Sequence, residues 1–188
     1  MKNRLVKVLV LISFFGISSM ADDVAKDTSY SLLGFEGGYS NLDYEIVTPN
    51  KNYSYGVGYA GLKIGAETGH YRIFLSARYY NASDFDYMTT LGVEFQYLFN
   101  VSKSFDVYIG ANTGLAYISF TPKGENTART ISNAYYGGDI GVNIHAKKNI
   151  DLEIGTRVMD IGADNTRNSI DYRFNTLISG YVGVIFKY

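Results

Sequence analysis

Charged residues of opposite sign face one another across the turns that this sequence implies. If residues 68–71 and 147–149 are tight turns, folding back sets Glu67 opposite Arg72, His145 opposite Asp151 and, further along, Asp139 opposite Arg157. Glu36, Lys63, Arg78, Glu94, Glu153 and Arg173 occupy equivalent alternate positions. Such groups in a dry interior can form a path or gate for ions, or neutralise one another as a fixed plug. The plug is favoured, because interior charges are usually kept paired.

Other chemistry finds little support. Cysteine is absent, which removes a thiol nucleophile, a disulfide framework, a cysteine-based zinc site and a lipidated cysteine. The 2 histidines, His70 in a short turn and His145 near the foot of an apolar segment, fall at one end of the pattern described below. The glycine stretches "GFEGGYS" and "GYAGLKIGAE" are not phosphate loops, since no Gly-Lys-Ser/Thr follows. Asp160, Asp164 and Asp171 lack calcium-loop spacing and read as a solvated loop. The expectation is no catalytic residue, no cofactor and no metal.

The elements that must position these charges are strands. Apolar residues alternate with polar or small ones over eight segments: 31–44, 55–67, 71–80, 89–100, 105–118, 134–146, 150–159 and 172–188. The fourth is the cleanest, with Leu91, Val93, Phe95, Tyr97 and Phe99 against Gly92, Glu94, Gln96 and Asn100. The connections are alternately short (68–71, 101–104, 147–149) and long (45–54, 81–88, 119–133, 160–171). Tight turns at one end and long loops at the other predict an all-β fold, an eight-stranded antiparallel up-and-down transmembrane β-barrel.

A soluble lipocalin-like carrier would share the alternation but would turn its apolar set inward. Two features favour the opposite arrangement. Glycine crowds the polar face (Gly34, Gly38, Gly61, Gly92, Gly110, Gly141, Gly155), where it makes room for large neighbours inside a narrow barrel. Aromatics end the apolar face: Tyr71, Tyr97, Phe99, Phe105, Phe186 and Tyr188 at the short-turn end, Tyr39, Tyr79, Tyr117, Tyr172 and Phe174 at the other. Two such girdles mark the two membrane interfaces. Eight strands enclose a lumen that side chains fill, so no wide pore is expected.

The N-terminus adds an address. Lys2, Arg4 and Lys7, an apolar run over 8–17 and the small residues before Asp22 have the layout of a signal peptide, predicting residues 1–21 as cleaved and 22–188 as the barrel. Its loss removes three of the 17 basic residues against 18 acidic ones, and no basic stripe suggests nucleic acid.

The chain resembles the small outer-membrane β-barrel proteins of Gram-negative bacteria, of the OmpX, OmpA-barrel and opacity-protein kind. The most specific element is the final "YVGVIFKY", in which Tyr181, Gly183, Phe186 and Tyr188 match the C-terminal signal read by the barrel-assembly machinery. The resemblance implies an outer-membrane monomer surrounded by lipopolysaccharide and phospholipid. It also implies long loops that serve envelope structure, adhesion or binding of an extracellular ligand. Eight-stranded lipid A deacylases and acyltransferases are the enzyme alternative, but they place a His and a Ser near the outer leaflet, where neither histidine here falls.

Overall fold

β-Branched and aromatic residues at alternate positions suit a pleated strand that is apolar on one side. The computed structural model describes residues 29–46, 51–82, 85–120, 129–167 and 170–188. The expected signal peptide, 1–21, lies outside them. The strands are β1 (Ser29–Ile46), β2 (Lys51–Thr68), β3 (Tyr71–Ala82), β4 (Phe85–Asn100), β5 (Phe105–Phe120), β6 (Arg129–Lys147), β7 (Ile150–Arg167) and β8 (Ile170–Lys187). Each pairs antiparallel with its neighbours in chain order, and β8 returns to β1 to close an eight-stranded barrel.

The apolar side faces outward. Leu62, Ile64, Ile73, Leu75, Leu91, Val93, Ile109, Ile140, Ile154 and Val182 are exposed around the wall. A water-soluble carrier would hide this set, so the lipocalin-like alternative fails. Aromatic residues border the band, and Tyr97 makes edge contacts with Tyr71 at 5.2 Å and Phe99 at 4.7 Å. At the opposite border Tyr79 stacks with Tyr87 at 6.4 Å. The side chains of Tyr172 and Phe174 lie outside the described residues.

Where long loops are expected, the strands run further. β1 reaches Ile46 and β2 starts at Lys51, while β7 reaches Arg167 and β8 starts at Ile170. The 18-residue β1 is roughly 60 Å long, and tilted by about 45° it still rises roughly 40 Å against an apolar band of about 25 Å. Alternation in hydropathy fades where a strand leaves lipid, but backbone pairing does not depend on lipid. That is why hydropathy alone ends the strands too early.

The expected loop of Asp160, Asp164 and Asp171 is likewise paired strand, with Asp164 opposite Arg173 and Asp171 opposite Thr166. A bulge between Asp160 and Ala163 accommodates the exit from the membrane. Gly162 takes a positive φ of 52° there, and Asn133 Nδ2 donates to the carbonyls of Ile161 at 3.0 Å and Gly162 at 2.7 Å.

Candidate functional site

The inward positions of all eight strands meet in the lumen, which has three levels. At the short-turn end Arg72 donates from Nε to Glu67 at 2.5 Å and from Nη2 to Asp151 at 2.5 Å. Lys187 joins the same two acids at 3.0 and 2.9 Å. His145 lies between two carboxylates, with Nδ1 at 2.9 Å from Asp151 and Nε2 at 3.1 Å from Asp106. The register opposes Glu67 to Arg72, His145 to Asp151 and Asp139 to Arg157.

The middle level is a denser network. Glu36 is its hub, receiving Lys63 at 3.2 Å, Arg157 Nη1 at 2.9 Å and Arg78 Nε. Arg78 and Arg157 share Glu94, and Lys63 also pairs with Glu153. Gln96 donates to Glu153 at 2.9 Å and to Asp139 at 3.2 Å, and Asn112 donates to Asp139 at 3.2 Å. The side chains of Lys63, Glu94, Glu153 and Arg157 have no exposure to solvent. Charges so placed lose hydration and hold only because each finds an opposite partner.

Aromatic rings pack this level from the side. Arg157 lies over the Tyr181 ring at 4.5 Å, and the Tyr181 and Tyr108 hydroxyls share a hydrogen bond of 2.6 Å. Glycines provide the space. A Cβ at Gly141 or Gly155 would fall onto the Tyr108 hydroxyl, and one at Gly92 onto that of Tyr135.

The third level adds an apolar layer to the polar interior that alternation predicts. Leu42, Val57, Tyr59, Tyr80, Met88, Ile118, Ile131, Tyr135, Met159, Ile161 and Leu177 form a buried apolar cluster toward the long-connection end, with Tyr59 stacked on Tyr80 at 4.9 Å. A smaller cluster of Leu32, Phe74 and Ile185 lies nearer the short turns. Apolar side chains turn inward here because positions above the membrane need a core of their own. Ile185, an apparent misfit on the inward face, packs against Leu32 and Phe74.

Glu36, Lys63, Glu67, Arg72, Arg78, Glu94, Asp139, His145, Asp151, Glu153 and Arg157 thus converge on the lumen; the Arg173 side chain lies outside the described residues. Alternation also sets Asp106 and Lys187 on the inward face, and both join the network, Asp106 through His145 and Lys187 through Glu67 and Asp151. The C-terminal residues split between faces: Tyr181 and Gly183 are buried inside, while Tyr188 is exposed and its backbone exchanges hydrogen bonds with Ser31 at 3.0 and 3.3 Å. His70 is exposed, with its ring stacked on Tyr97 at 5.9 Å. Among the described residues no cluster of His, Asp and Glu could hold a metal ion.

Known proteins repeat this architecture. The crystal structure of Neisserial surface protein A superposes with a TM-score of 0.64 at 17% identity, covering 83% of this chain and 97% of that one. The N-terminal β-barrel domain of Pseudomonas aeruginosa OprF gives 0.50 at 12% identity, covering 81% and 97%. At these identities the likeness is one of fold. No curated protein sequence matches the chain. Residues 8–186 match the model of the outer membrane protein beta-barrel domain. A closed barrel with a lipid-facing apolar wall and that match over nearly its whole length make this chain a member of the outer membrane protein beta-barrel family, resident in the outer membrane.

Proposed function

We propose that this protein is a closed, non-conducting barrel that acts through its extracellular end, in adhesion, surface interaction or envelope structure. The observation that supports this most is the sealing of the lumen, by paired buried charges below and by the apolar cluster above. A solute would have to separate Lys63, Arg78 and Arg157 from their carboxylates and then cross a layer with little to replace its hydration. The strand ends rising beyond the outer girdle give the connections a rigid base, and rigid scaffolds with variable loops suit recognition. His145 is engaged by two carboxylates at the periplasmic end, away from the outer leaflet, which supports a non-catalytic role.

The same reading takes residues 1–21 as a removed signal peptide and the mature protein as a monomer. Tyr181, Gly183, Phe186 and Tyr188 would be the contact for the barrel-assembly machinery. The deciding measurement for the closed lumen is single-channel conductance of folded protein in planar bilayers. Baseline current is expected, and a steady open level would refute the closed barrel in favour of a narrow channel.

A further inference from the structure

The short turns end where the aromatic girdle begins, so side chains exposed on them sit at the depth of lipid headgroups. Between the first two turns a cavity of about 440 Å³ opens at the mouth of the barrel, and Asn100, Val101, Ser102, Lys103 and Asp106 are among the residues that line it. Its wall carries both signs of charge.

On the rim, Lys103 is exposed and pairs with no acid among the described residues. Ser102 Oγ accepts the backbone N–H groups of Ser104 at 3.1 Å and Phe105 at 3.2 Å, which leaves its hydroxyl proton to donate elsewhere. The exposed Asn100 amide adds a further donor. Deeper in, both oxygens of Glu67 are taken by Arg72 and Lys187, whereas Asp106 pairs only with His145, through one oxygen, among the described residues. Val101, 56% exposed, and Phe99 continue the rim onto the lipid-facing wall.

A ligand matching this surface has an oxyanion beside an ammonium and an apolar tail. We propose that the cavity holds the headgroup of a phosphoethanolamine phospholipid of the inner leaflet. Its phosphate lies on Lys103, Ser102 and Asn100, its ammonium turns toward Asp106, and its acyl chains run along Val101 and Phe99. The assignment takes the short turns to be periplasmic. A phosphoglycerol head supplies the phosphate without the ammonium, and a phosphocholine head supplies a cation that cannot donate hydrogen bonds, so both fit less well.

The test is native mass spectrometry of the folded full-length barrel released from mixed micelles containing equal amounts of the three lipids with identical acyl chains. Retention of the phosphoethanolamine lipid is expected to exceed the others by about tenfold, the worth of one charge-assisted hydrogen bond. Asp106→Asn is expected to bring the phosphoethanolamine lipid down to the phosphoglycerol level, and Lys103→Gln, an exposed change, to lower the retention of all three lipids, which share the phosphate. Lys148→Gln, on another turn, is expected to leave retention unchanged. Equal retention of all three lipids would overturn the proposal, as would an equal loss from Lys103→Gln and Lys148→Gln, which would mark diffuse attraction. Displacement of the lipid by an equal concentration of soluble phosphoethanolamine would overturn the assignment to a lipid.

Discussion

Arg157→Met tests whether the buried charges act as one interlocked unit. Arg157 holds Glu36 at 2.9 Å and Glu94 at 3.3 Å, lies over Tyr181 at 4.5 Å and has no exposed surface. Methionine fills part of the volume and keeps the stem's apolar contacts, so the charge is the main loss. Glu36 would keep Lys63 and Arg78, and Glu94 would keep Arg78. Even so, four buried carboxylates (Glu36, Glu94, Asp139, Glu153) would then face two cations in place of three. Removing one partner of a buried pair costs about 3–5 kcal/mol, which lowers the folded-to-unfolded ratio by roughly 10²- to 10⁴-fold. Reversible urea unfolding in lipid vesicles, followed by heat-modifiable gel migration, would measure the loss. Glu36→Gln added to Arg157→Met should recover about 1–2 kcal/mol through the coupling of contacting sites. A single-variant loss under about 1 kcal/mol, or strictly additive losses, would refute the interlocked network.

Gly155→Ala places a Cβ on the Tyr108 hydroxyl and 2.8 Å from the Tyr181 ring, and a loss of about 1–3 kcal/mol is expected in the same unfolding assay. Gly180→Ala meets no atom within 4 Å and should be neutral, so equal effects would contradict the packing described. Leu75→Arg puts a cation on the outward face of β3 midway between Tyr71 and Tyr79, and should cost about 2–4 kcal/mol of vesicle-folded stability. A negligible cost would place Leu75 outside the hydrocarbon.

Alternation exposes every strand and most of the lumen in the sequence, because a period of two assigns each side chain to one face. Hairpin turns fix the register closely enough to oppose Asp139 to Arg157. The hub at Glu36 is another matter. Its partner Arg157 is 121 residues away on β7, with β8 between the two strands, where no local spacing points. Leu42, Met159 and Ile161 were illegible for a related reason: apolar residues above the membrane face inward to form a core, and those within it face outward to lipid.

Gly183 lies opposite Glu36 on β1 and opposite Glu153 on β7, and Tyr181 lies under Arg157. The last strand therefore supplies both the gap and the ring that the charges need. Lys63 of β2 and Glu153 of β7 meet only once that strand has joined β1. A partly formed sheet would carry these ions unpaired toward hydrocarbon, at a cost of several kcal/mol each. The ionic hub thus favours the complete cylinder over every open precursor.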